Sequence, residues 1–379
     1  MRRILLGGFL LLLAACAGVA PPKKLGLEPV EFAELPGWNE DSPNEALAAF
    51  ARSCAVLLKK PAGAAMGAAG KAGDWKKPCA ALTSIPRSDP AAARAFFETY
   101  FTPHAASGAD GNEGLFTGYY EAELYGSTKK TKRFHVPLYA RPKDLVTVDL
   151  GLFRPEWKGQ RILGKVDKTR FVPYDERAAI AKNPLPPRAE VLLWVDDPIG
   201  AFFLEIQGSG RVRMPDGSIR RIGYDGTNGR GYVAIGKPLA ARGDIQKPVT
   251  MQKIRAWLSE HPVDRQAALN LNPSYVFFRK LEKDEDGPIG AQGVALTPLR
   301  SLAVDPAYIP LGVPLWLATQ NGDGKPIRRL VIAQDTGGAI KGAVRGDVFW
   351  GAGTEAEAEA GTMQSRGRYF LLLPKTDAR

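Results

Sequence analysis

The sequence has few of the residues that protein metal sites and charge-relay hydrolases use. Its 379 residues include three cysteines and three histidines, the histidines lying far apart at positions 104, 135 and 261. A tetrahedral zinc site takes its ligands from clustered cysteine and histidine, and a catalytic triad needs a histidine that holds a serine. The composition supports neither arrangement, and we predict that the protein uses no metal and no cofactor.

The chain also lacks a long apolar segment. Its N-terminal apolar run, residues 4–13, follows two arginines and is shorter than the ~20 residues that span a bilayer. Residues 1–15 therefore have the form of a signal peptide. The letters LAAC at 13–16 resemble a bacterial lipobox, which predicts lipidation of Cys16. The alternative is an ordinary signal peptide with a chance cysteine.

A lipidated Cys16 would anchor the mature chain to a membrane. The residue after it is alanine rather than aspartate, which favours the outer membrane over the inner one. Two cysteines then remain, Cys54 and Cys79. An even pair in an exported protein favours a disulfide, and two buried thiols are the alternative. In either case the pair is structural.

The charge is unbalanced toward basic residues. Lysine and arginine number 51 against 40 aspartates and glutamates, a formal net charge of +11. A basic protein attracts polyanions such as nucleic acid, an anionic membrane face or an acidic polymer. No zinc-finger spacing, RNP-like run or basic region with heptads is present, and the chain has an export signal, so we predict no nucleic-acid partner.

The periodicity of the chain divides it into a helical N-terminal region and a β-rich remainder. Residues 17–40 are proline-rich and aperiodic, which predicts a tether. Helical spacing of apolar residues predicts helices over 44–60, 89–101 and 250–261. From about residue 114 onward, short β-rich runs alternate with glycine and proline, and AFFLEIQ (201–207) is one of these runs. The pattern predicts a mainly β protein consistent with a barrel.

Two aspartates lie 12 positions apart in AQDTGGAIKGAVRGDVFWG (333–351). Asp347 precedes Val-Phe-Trp, and a carboxyl beside large apolar groups loses solvation, which raises its pKa toward that of a general acid. Asp335 follows an apolar strand and would raise the pKa of Asp347 further. Lys341 adds a cation between them. The alternative for each aspartate is a cap in a glycine-rich turn, and for Asp305, before Pro306, a structural turn is the simplest role.

The segment SLAVDPAYIPLGVPLWL (301–317), followed by 333–351, resembles the three-aspartate module of the membrane-bound lytic murein transglycosylase A (MltA) family. Four more segments resemble blocks of that family in the same order: LFTGYYEAEL (115–124), DDPIGAFFLEIQGSGRV (196–212), DGTNGRGYVAIGKPL (225–239) and NPSYVFFRK (272–280). The resemblance covers roughly residues 115 to 373. The helical N-terminal stretch matches less clearly.

The resemblance implies a double-psi β-barrel interrupted by a second β-rich domain, with a groove between them. The barrel would comprise 41–139 and 281–379, and the inserted domain 140–280. The family cleaves the β-1,4 bond between N-acetylmuramic acid and N-acetylglucosamine in peptidoglycan without water, leaving 1,6-anhydromuramyl ends. Its catalytic acid falls on Asp347, and the supporting aspartate falls on Asp335. Implied partners are glycan strands, the outer membrane and other envelope proteins.

A glycan groove also needs polar groups and flat apolar faces. The candidates for substrate contact are Thr117, Tyr119, Tyr120, Gln207, Ser209 and Lys341. Each can instead be a structural turn or core residue. Two other functions compete with the enzyme: a wall-binding module that does not cut, and a calcium site built from Asp305, Asp335 and Asp347.

Overall fold

The computed structural model describes residues 25–281 and 287–375. The signal peptide predicted over 1–15 and the lipidation predicted at Cys16 lie outside the described residues. Within the described ranges, no helix is long and apolar enough to cross a membrane.

The described residues form a mainly β structure, as predicted. Three of their α-helices lie before residue 101, but five more lie between residues 177 and 269 and one lies at 354–362, so the helices are not confined to the N-terminal region. Its strands are β1 Gly26–Pro29, β2 Phe101–Ser107, β3 Gly114–Ser127, β4 Val136–Tyr139, β5 Val146–Asp149, β6 Arg161–Asp167, β7 Arg170–Pro173, β8 Val191–Val195, β9 Ser209–Arg213, β10 Ile219–Thr227, β11 Val276–Lys280, β12 Ser301–Val304, β13 Pro314–Gln320, β14 Pro326–Asp335, β15 Arg345–Ala352 and β16 Gln364–Pro374. Its α-helices are α1 Leu47–Leu57, α2 Lys76–Ala81, α3 Pro90–Tyr100, α4 Arg177–Lys182, α5 Pro198–Gln207, α6 Gly236–Ala241, α7 Met251–Glu260, α8 Arg265–Leu269 and α9 Thr354–Thr362.

The three predicted helices are confirmed as α1, α3 and α7. At the start of α3, the Asp89 carboxylate accepts hydrogen bonds from the amides of Ala91 and Ala92, and Pro90 occupies the first turn. Thr250 caps α7 through the amide of Lys253. These caps satisfy amides that have no partner inside the helix, and so they set where each helix begins.

The β assignment of residues 201–207 is wrong, because this segment lies in α5. Asp197 caps the helix through the amide of Ile199, Pro198 occupies its first turn, and Gly208 ends it with a φ of 78°. The helix is apolar on several sides because it is almost entirely buried. A continuous apolar run does not distinguish a buried helix from a buried strand, and the flanking caps carried the correct signal.

The tether predicted over 16–40 is wrong for residues 25–40. β1 pairs antiparallel with β2, and Leu35 and Trp38 are buried. The indole nitrogen of Trp38 donates to Glu98 in α3, at 2.8 Å. The segment has no helical or strand period because a four-residue strand is followed by two single 3₁₀ turns, Phe32–Glu34 and Trp38–Glu40.

One long strand, β3, joins the two halves of the main sheet. The sheet order is β1-β2-β16-β13-β14-β12-β15-β3-β9-β10-β11, and β8 pairs with both β3 and β4. The first half of β3 runs parallel to β15, and its second half runs parallel to β9. A separate antiparallel sheet contains β5, β6 and β7. Hairpin turns lie at Asp216-Gly217, between β9 and β10, and at residues 320–325, between β13 and β14.

The largest core lies between α1–α3 and the strands β12–β16. Trp75 and Trp316 are fully buried there, together with several phenylalanines of the N-terminal helices. Cys54 of α1 and Cys79 of α2 form a disulfide inside this core, which is the arrangement that the sequence favoured over two thiols. A second core packs α5 and α9 against β3, β9 and β10, which positions the middle of β3 between the two cores.

Candidate active site

The two neighbouring strands β3 and β15 bring Thr117 and Asp347 together. Their parallel register places Asp347 directly beside Thr117, and the threonine hydroxyl donates to Asp347 Oδ1 at 2.7 Å. On the other side of β15, Asp347 is paired with Ala303 of β12. The carboxyl is therefore held by a strand that has neighbours on both edges.

A guanidinium determines which way the Thr117 hydroxyl points. Arg345 Nη2 donates to Thr117 Oγ1 at 2.8 Å. Arginine only donates, and a hydroxyl has one proton, so the Thr117 proton is committed to Asp347 Oδ1. The other carboxyl oxygen, Oδ2, is then the one that can carry and release a proton. Arg345 also donates to the backbone carbonyls of Leu115 and Gly346, which fixes its position.

Burial raises the pKa of Asp347 to about 6. Loss of solvation is the largest cause, and the negative charge of Asp335 adds to it. The positive charge of Arg345 and the hydrogen bond from Thr117 act in the opposite direction. The carboxyl remains partly accessible, so a large fraction of it is protonated in mildly acidic solution and can reach a ligand.

Asp335 at the end of β14 is held by three donors. Tyr119 donates its hydroxyl proton to Asp335 Oδ2 at 3.0 Å, and the amides of Ala291 and Thr336 donate to Oδ1 at 2.8 and 2.9 Å. Burial raises the pKa of Asp335, whereas these hydrogen bonds lower it. Burial and the Asp335 charge raise the pKa of Tyr119 well above its ordinary value, which keeps the phenol a neutral donor.

An aromatic pair forms the apolar side of the site. Phe349 lies two residues after Asp347 on the same face of β15, and it pairs with Tyr119 across the strands. The two ring centroids are 5.2 Å apart. Thr117 and Tyr119 on β3, with Asp347 and Phe349 on β15, thus occupy one continuous face, because alternate strand residues point to the same side.

Two predicted contact residues lie away from the aspartates, Tyr120 on the opposite face of β3 and Gln207 at the end of α5. Tyr120 and Gln207 line a cleft of about 830 Å³, together with apolar residues of α5 and α7. Among the described residues, no aspartate or glutamate lines this cleft, so we assign the acid–base chemistry to the Asp347 face. Gln207 Oε1 accepts from the backbone amide of Tyr120 at 3.0 Å, which ties α5 to β3.

Gly118 lies between Thr117 and Tyr119 on β3, where Trp350 and α9 pack closely against the strand. A Cβ atom at this position would lie 2.5 Å from Trp350 Nε1 and 2.7 Å from the Ala360 Cα. Only glycine therefore lets Trp350 and α9 approach the strand this closely. Substitution would displace β3 relative to β15, and with it the Thr117 contact to Asp347.

The remaining predicted residues, Lys341, Asp305 and Ser209, make no hydrogen bond to Asp335 or Asp347 in the described part of the chain. Lys341 Nζ is 3.8 Å from Asp305 Oδ1, and Asp305 Oδ2 accepts from the amide of Gly342 at 2.9 Å. Asp305 therefore contacts the 336–344 loop at two neighbouring residues. Ser209 begins β9 next to β3. Within the described ranges, no three His, Cys, Asp or Glu side chains are grouped to hold a metal, so Asp305, Asp335 and Asp347 do not form the alternative calcium site.

Two groups that act on the aspartates were not predicted from the sequence: Arg345, through its charge and its hydrogen bond to Thr117, and the Ala291 amide, through a direct hydrogen bond to Asp335. Arg345 lies two residues before Asp347 in β15, so the strand period alone would have placed both on one face. The amide of Ala291 carried no sequence signal, because any residue type can supply a backbone donor. It reaches Asp335 from a segment 44 residues earlier in the chain.

Two family models match the chain. The model described as the MltA specific insert domain matches residues 115–279. The model described as the 3D domain matches residues 300–373. The first range contains Thr117 and Tyr119, and the second contains Asp335 and Asp347, so the site lies where the two matched regions meet.

Known proteins match much of the chain. Membrane-bound lytic murein transglycosylase A of Escherichia coli (strain K12) is 32% identical over 267 residues, which are 68% of this chain and 65% of that protein. The chain thus spans just under two thirds of the length of this curated relative. MltA from Neisseria gonorrhoeae, solved in a monoclinic form, is 35% identical with a TM-score of 0.79, covering 93% of this chain and 94% of that one. E. coli MltA with bound chitohexaose is 25% identical with a TM-score of 0.66, covering 94% and 95%.

Proposed function

This chain belongs to the MltA family of membrane-bound lytic murein transglycosylases, and on that premise we propose that it cleaves the β-1,4 bond between N-acetylmuramic acid and N-acetylglucosamine in peptidoglycan. The proposed products carry 1,6-anhydromuramyl ends, and no water is consumed. The observation that carries the proposal is the Asp347 carboxyl, whose pKa is about 6 and whose Oδ1 is already engaged by Thr117. The E. coli relative solved with chitohexaose supports a glycan as the ligand.

In the first step, protonated Asp347 acts as a general acid. Its Oδ2 proton passes to the glycosidic oxygen as the bond between that oxygen and the muramyl C1 breaks. The leaving sugar departs with a free hydroxyl, and an oxocarbenium-like centre develops at C1. The substrate's own N-acetyl group can stabilise this centre, so no protein nucleophile is required. The nearby Asp335 charge favours the same positive centre.

In the second step, the Asp347 carboxylate acts as a general base. It removes the proton from the 6-hydroxyl of the same muramyl ring while O6 forms the new bond to C1. The carboxyl is then protonated again and ready for another cycle. Well-oriented intramolecular attack has an effective concentration on the order of 10⁵ M or more, which favours O6 over water. Phe349 and Tyr119 exclude solvent from one side of the carboxyl.

The finer architecture is part of the proposal. We divide the chain into a double-psi β-barrel of residues 41–139 and 281–379 and an inserted domain of residues 140–280, with the glycan lying in a groove between them. The role of β3 in both halves of the main sheet supports a groove that crosses this strand. Asp335 is assigned to orientation and to the pKa of Asp347, and Asp305 to the structure of the following loop.

We further propose the contacts to the glycan. Thr117 and Tyr119 lie on the aspartate face and would meet the ring that is cleaved. Ser209 and Lys341 flank that face and would contact neighbouring sugars. Tyr120 and Gln207 line the cleft behind β3, so they would contact only a strand that also enters that cleft.

The proposed location is the periplasmic face of the outer membrane of a Gram-negative bacterium, with Cys16 as the lipidated residue and other envelope proteins as partners. The "membrane-bound" name of the relatives supports an envelope protein. A Cys16→Ala chain should leave the membrane fraction of cells that produce it and still cut isolated sacculi. Continued retention in the outer-membrane fraction would place the anchor elsewhere.

Digestion of sacculi in ¹⁸O-labelled water tests the chemistry. We expect anhydromuropeptides without label, and no product from Asp347→Asn. Label at the new muramyl ends would show a hydrolase with the same acid. Sacculus binding without any released product, in both the wild-type and the variant chain, would instead show the wall-binding module that does not cut.

A further inference from the structure

The small sheet of β5, β6 and β7 carries an exposed apolar face. Seven of the large apolar side chains that the described residues expose lie within this region: Val146, Leu152, Phe153, Trp157, Ile162, Val166 and Phe171. Leu152 is 86% exposed, Phe153 70% and Val166 62%. A cluster of seven exposed apolar side chains in one short segment marks an interaction surface, whereas single exposed apolar residues do not.

The strand register shows that these side chains form one surface. Val146 pairs with Gly164, Val148 with Ile162, and Val166 with Phe171, so all of them share one face of the sheet. A Cβ on Gly164 would lie 2.6 Å from the Phe171 ring, which therefore rests across this face. Leu163, on the other face, packs against a buried core instead.

The loop between β5 and β6 extends this surface. Leu152 and Phe153 project from the end of the hairpin, and Trp157 follows them. The guanidinium of Arg154 lies 5.0 Å from the centroid of the Trp157 ring. We call the apolar face of β5–β7 together with Leu152, Phe153 and Trp157 the hairpin surface.

Cations surround the hairpin surface. Residues 143–170 contain seven lysines and arginines against four aspartates and glutamates, a net charge of +3. Arg161 pairs with Asp149 at 3.6 Å and Arg154 with Glu156 at 3.8 Å, and both pairs are largely exposed, so solvent screens them and the arginines can exchange partners. Lys165 pairs with Asp175, just outside this range, at 2.6 Å, so it does not add to the excess of cations. The excess of cations complements an anionic surface.

We propose that the hairpin surface docks onto an anionic phospholipid membrane. Four of the seven side chains, Val146, Leu152, Ile162 and Val166, are aliphatic and offer sugar rings neither a flat face nor a donor or acceptor, which disfavours a glycan as the occupant. Apolar side chains that enter the acyl boundary, with a tryptophan and basic residues at its rim, are the arrangement of interfacial membrane-binding segments. The proposal does not depend on the catalytic chemistry, because the surface contains none of the residues assigned to the aspartate site.

Vesicle sedimentation tests this docking. The protein is the chain from residue 17 onward, which lacks the N-terminal apolar run and Cys16 but keeps every described residue. We expect it to bind vesicles of phosphatidylethanolamine with phosphatidylglycerol, more weakly as salt rises, and not to bind pure phosphatidylcholine vesicles. The variant Leu152→Ser, Phe153→Ser, Val166→Ser should bind roughly tenfold or more weakly, because three exposed apolar side chains are lost.

Two further variants separate the contributions. Lys168→Glu with Arg170→Glu should weaken binding at low salt and change it little at high salt. The substitutions remove only electrostatic attraction to the anionic lipids, which salt already screens. Val263→Ser removes an apolar side chain that is 92% exposed elsewhere on the chain and should bind like the wild type. All variants should keep the wild-type unfolding midpoint. Anionic vesicles that fail to bind the wild type, or that retain the triple variant, would overturn the proposal, as would binding only to sacculi or to another envelope protein.

Discussion

Replacing Asp347 by asparagine should make the protein more stable while it removes the activity. Folding moves this carboxyl from water into a site where its pKa rises from 3.8 to about 6. A difference of one pKa unit corresponds to 1.36 kcal/mol, so the ionised carboxyl destabilises the folded state by about 3 kcal/mol in neutral solution. Asparagine keeps the shape and can still accept from Thr117, yet it carries no charge that needs solvation.

The pH dependence of this gain has a definite sign. A raised folded-state pKa means that the folded protein binds the proton more tightly, so the wild type loses stability as pH rises from 3.8 to about 6 and stays at its lower value above that. The asparagine variant does not titrate at this site. Its advantage should therefore be nearly absent at low pH and should reach its full size above the folded-state pKa.

Thermal unfolding followed by circular dichroism over a pH series measures the effect. For about 3 kcal/mol we expect the midpoint of Asp347→Asn to exceed that of the wild type by ~5 °C near neutral pH. Asp335→Asn is the matched control. Its carboxylate accepts from three donors, and an amide would turn its NH₂ group toward at least one of them, so this variant should gain nothing or lose stability. Equal midpoints for wild type and Asp347→Asn at neutral pH, or an advantage that persists undiminished in strong acid, would refute the reasoning.

We expect three further outcomes, two from the contacts of Asp347 and one from the disulfide. The rate of sacculus digestion at limiting substrate should fall roughly tenfold per pH unit above about 6, because Asp347 must be protonated to act as the acid; a flat profile up to the alkaline range would contradict this assignment. Thr117→Val should move that pH limb upward, because the hydrogen bond that lowers the pKa of Asp347 is removed, and should lower activity roughly tenfold or more, because Arg345 loses one acceptor; an unchanged limb would show that the hydroxyl does not act on the carboxyl. Cys54→Ser should lower the free energy of unfolding by about 3 kcal/mol, as expected for a cross-link that closes a loop of 25 residues, and reducing agent should have the same effect on the wild type and none on the variant.

Much of the secondary structure follows from local signals. Asp89-Pro90 and Thr250 begin helices because their side chains or fixed dihedrals satisfy the requirements of the first turn. Asp216-Gly217 forms a hairpin turn because glycine adopts the positive φ, here 81°, that a tight turn needs. These features depend on residues only a few positions apart, so the sequence contains all the information they require.

The two wrong assignments, of residues 201–207 and 25–40, have a common cause: burial in the core determined the structure of both segments. The segment AFFLEIQ of α5 has strand-forming residues, yet it is helical because its caps and the surrounding core select that form. Residues 25–40 have no period, yet Leu35 and Trp38 are buried because β1 pairs with β2 and places them over the first core. Local propensity amounts to less than the free energy of burying several large side chains, so the core decided both segments.

The candidate site divides in the same way between sequence and tertiary structure. The sequence by itself determined which residues could be the general acid and the supporting aspartate. Asp347 directly precedes Val-Phe-Trp, and Asp335 ends an apolar strand. Only the tertiary structure decided what each carboxyl contacts. Thr117 reaches Asp347 across 230 residues because β3 and β15 pair in a parallel register, and a shift of one residue would turn the hydroxyl to the opposite face. That register depends on the packing of both cores at once, and no local signal near residue 117 or residue 347 contains it.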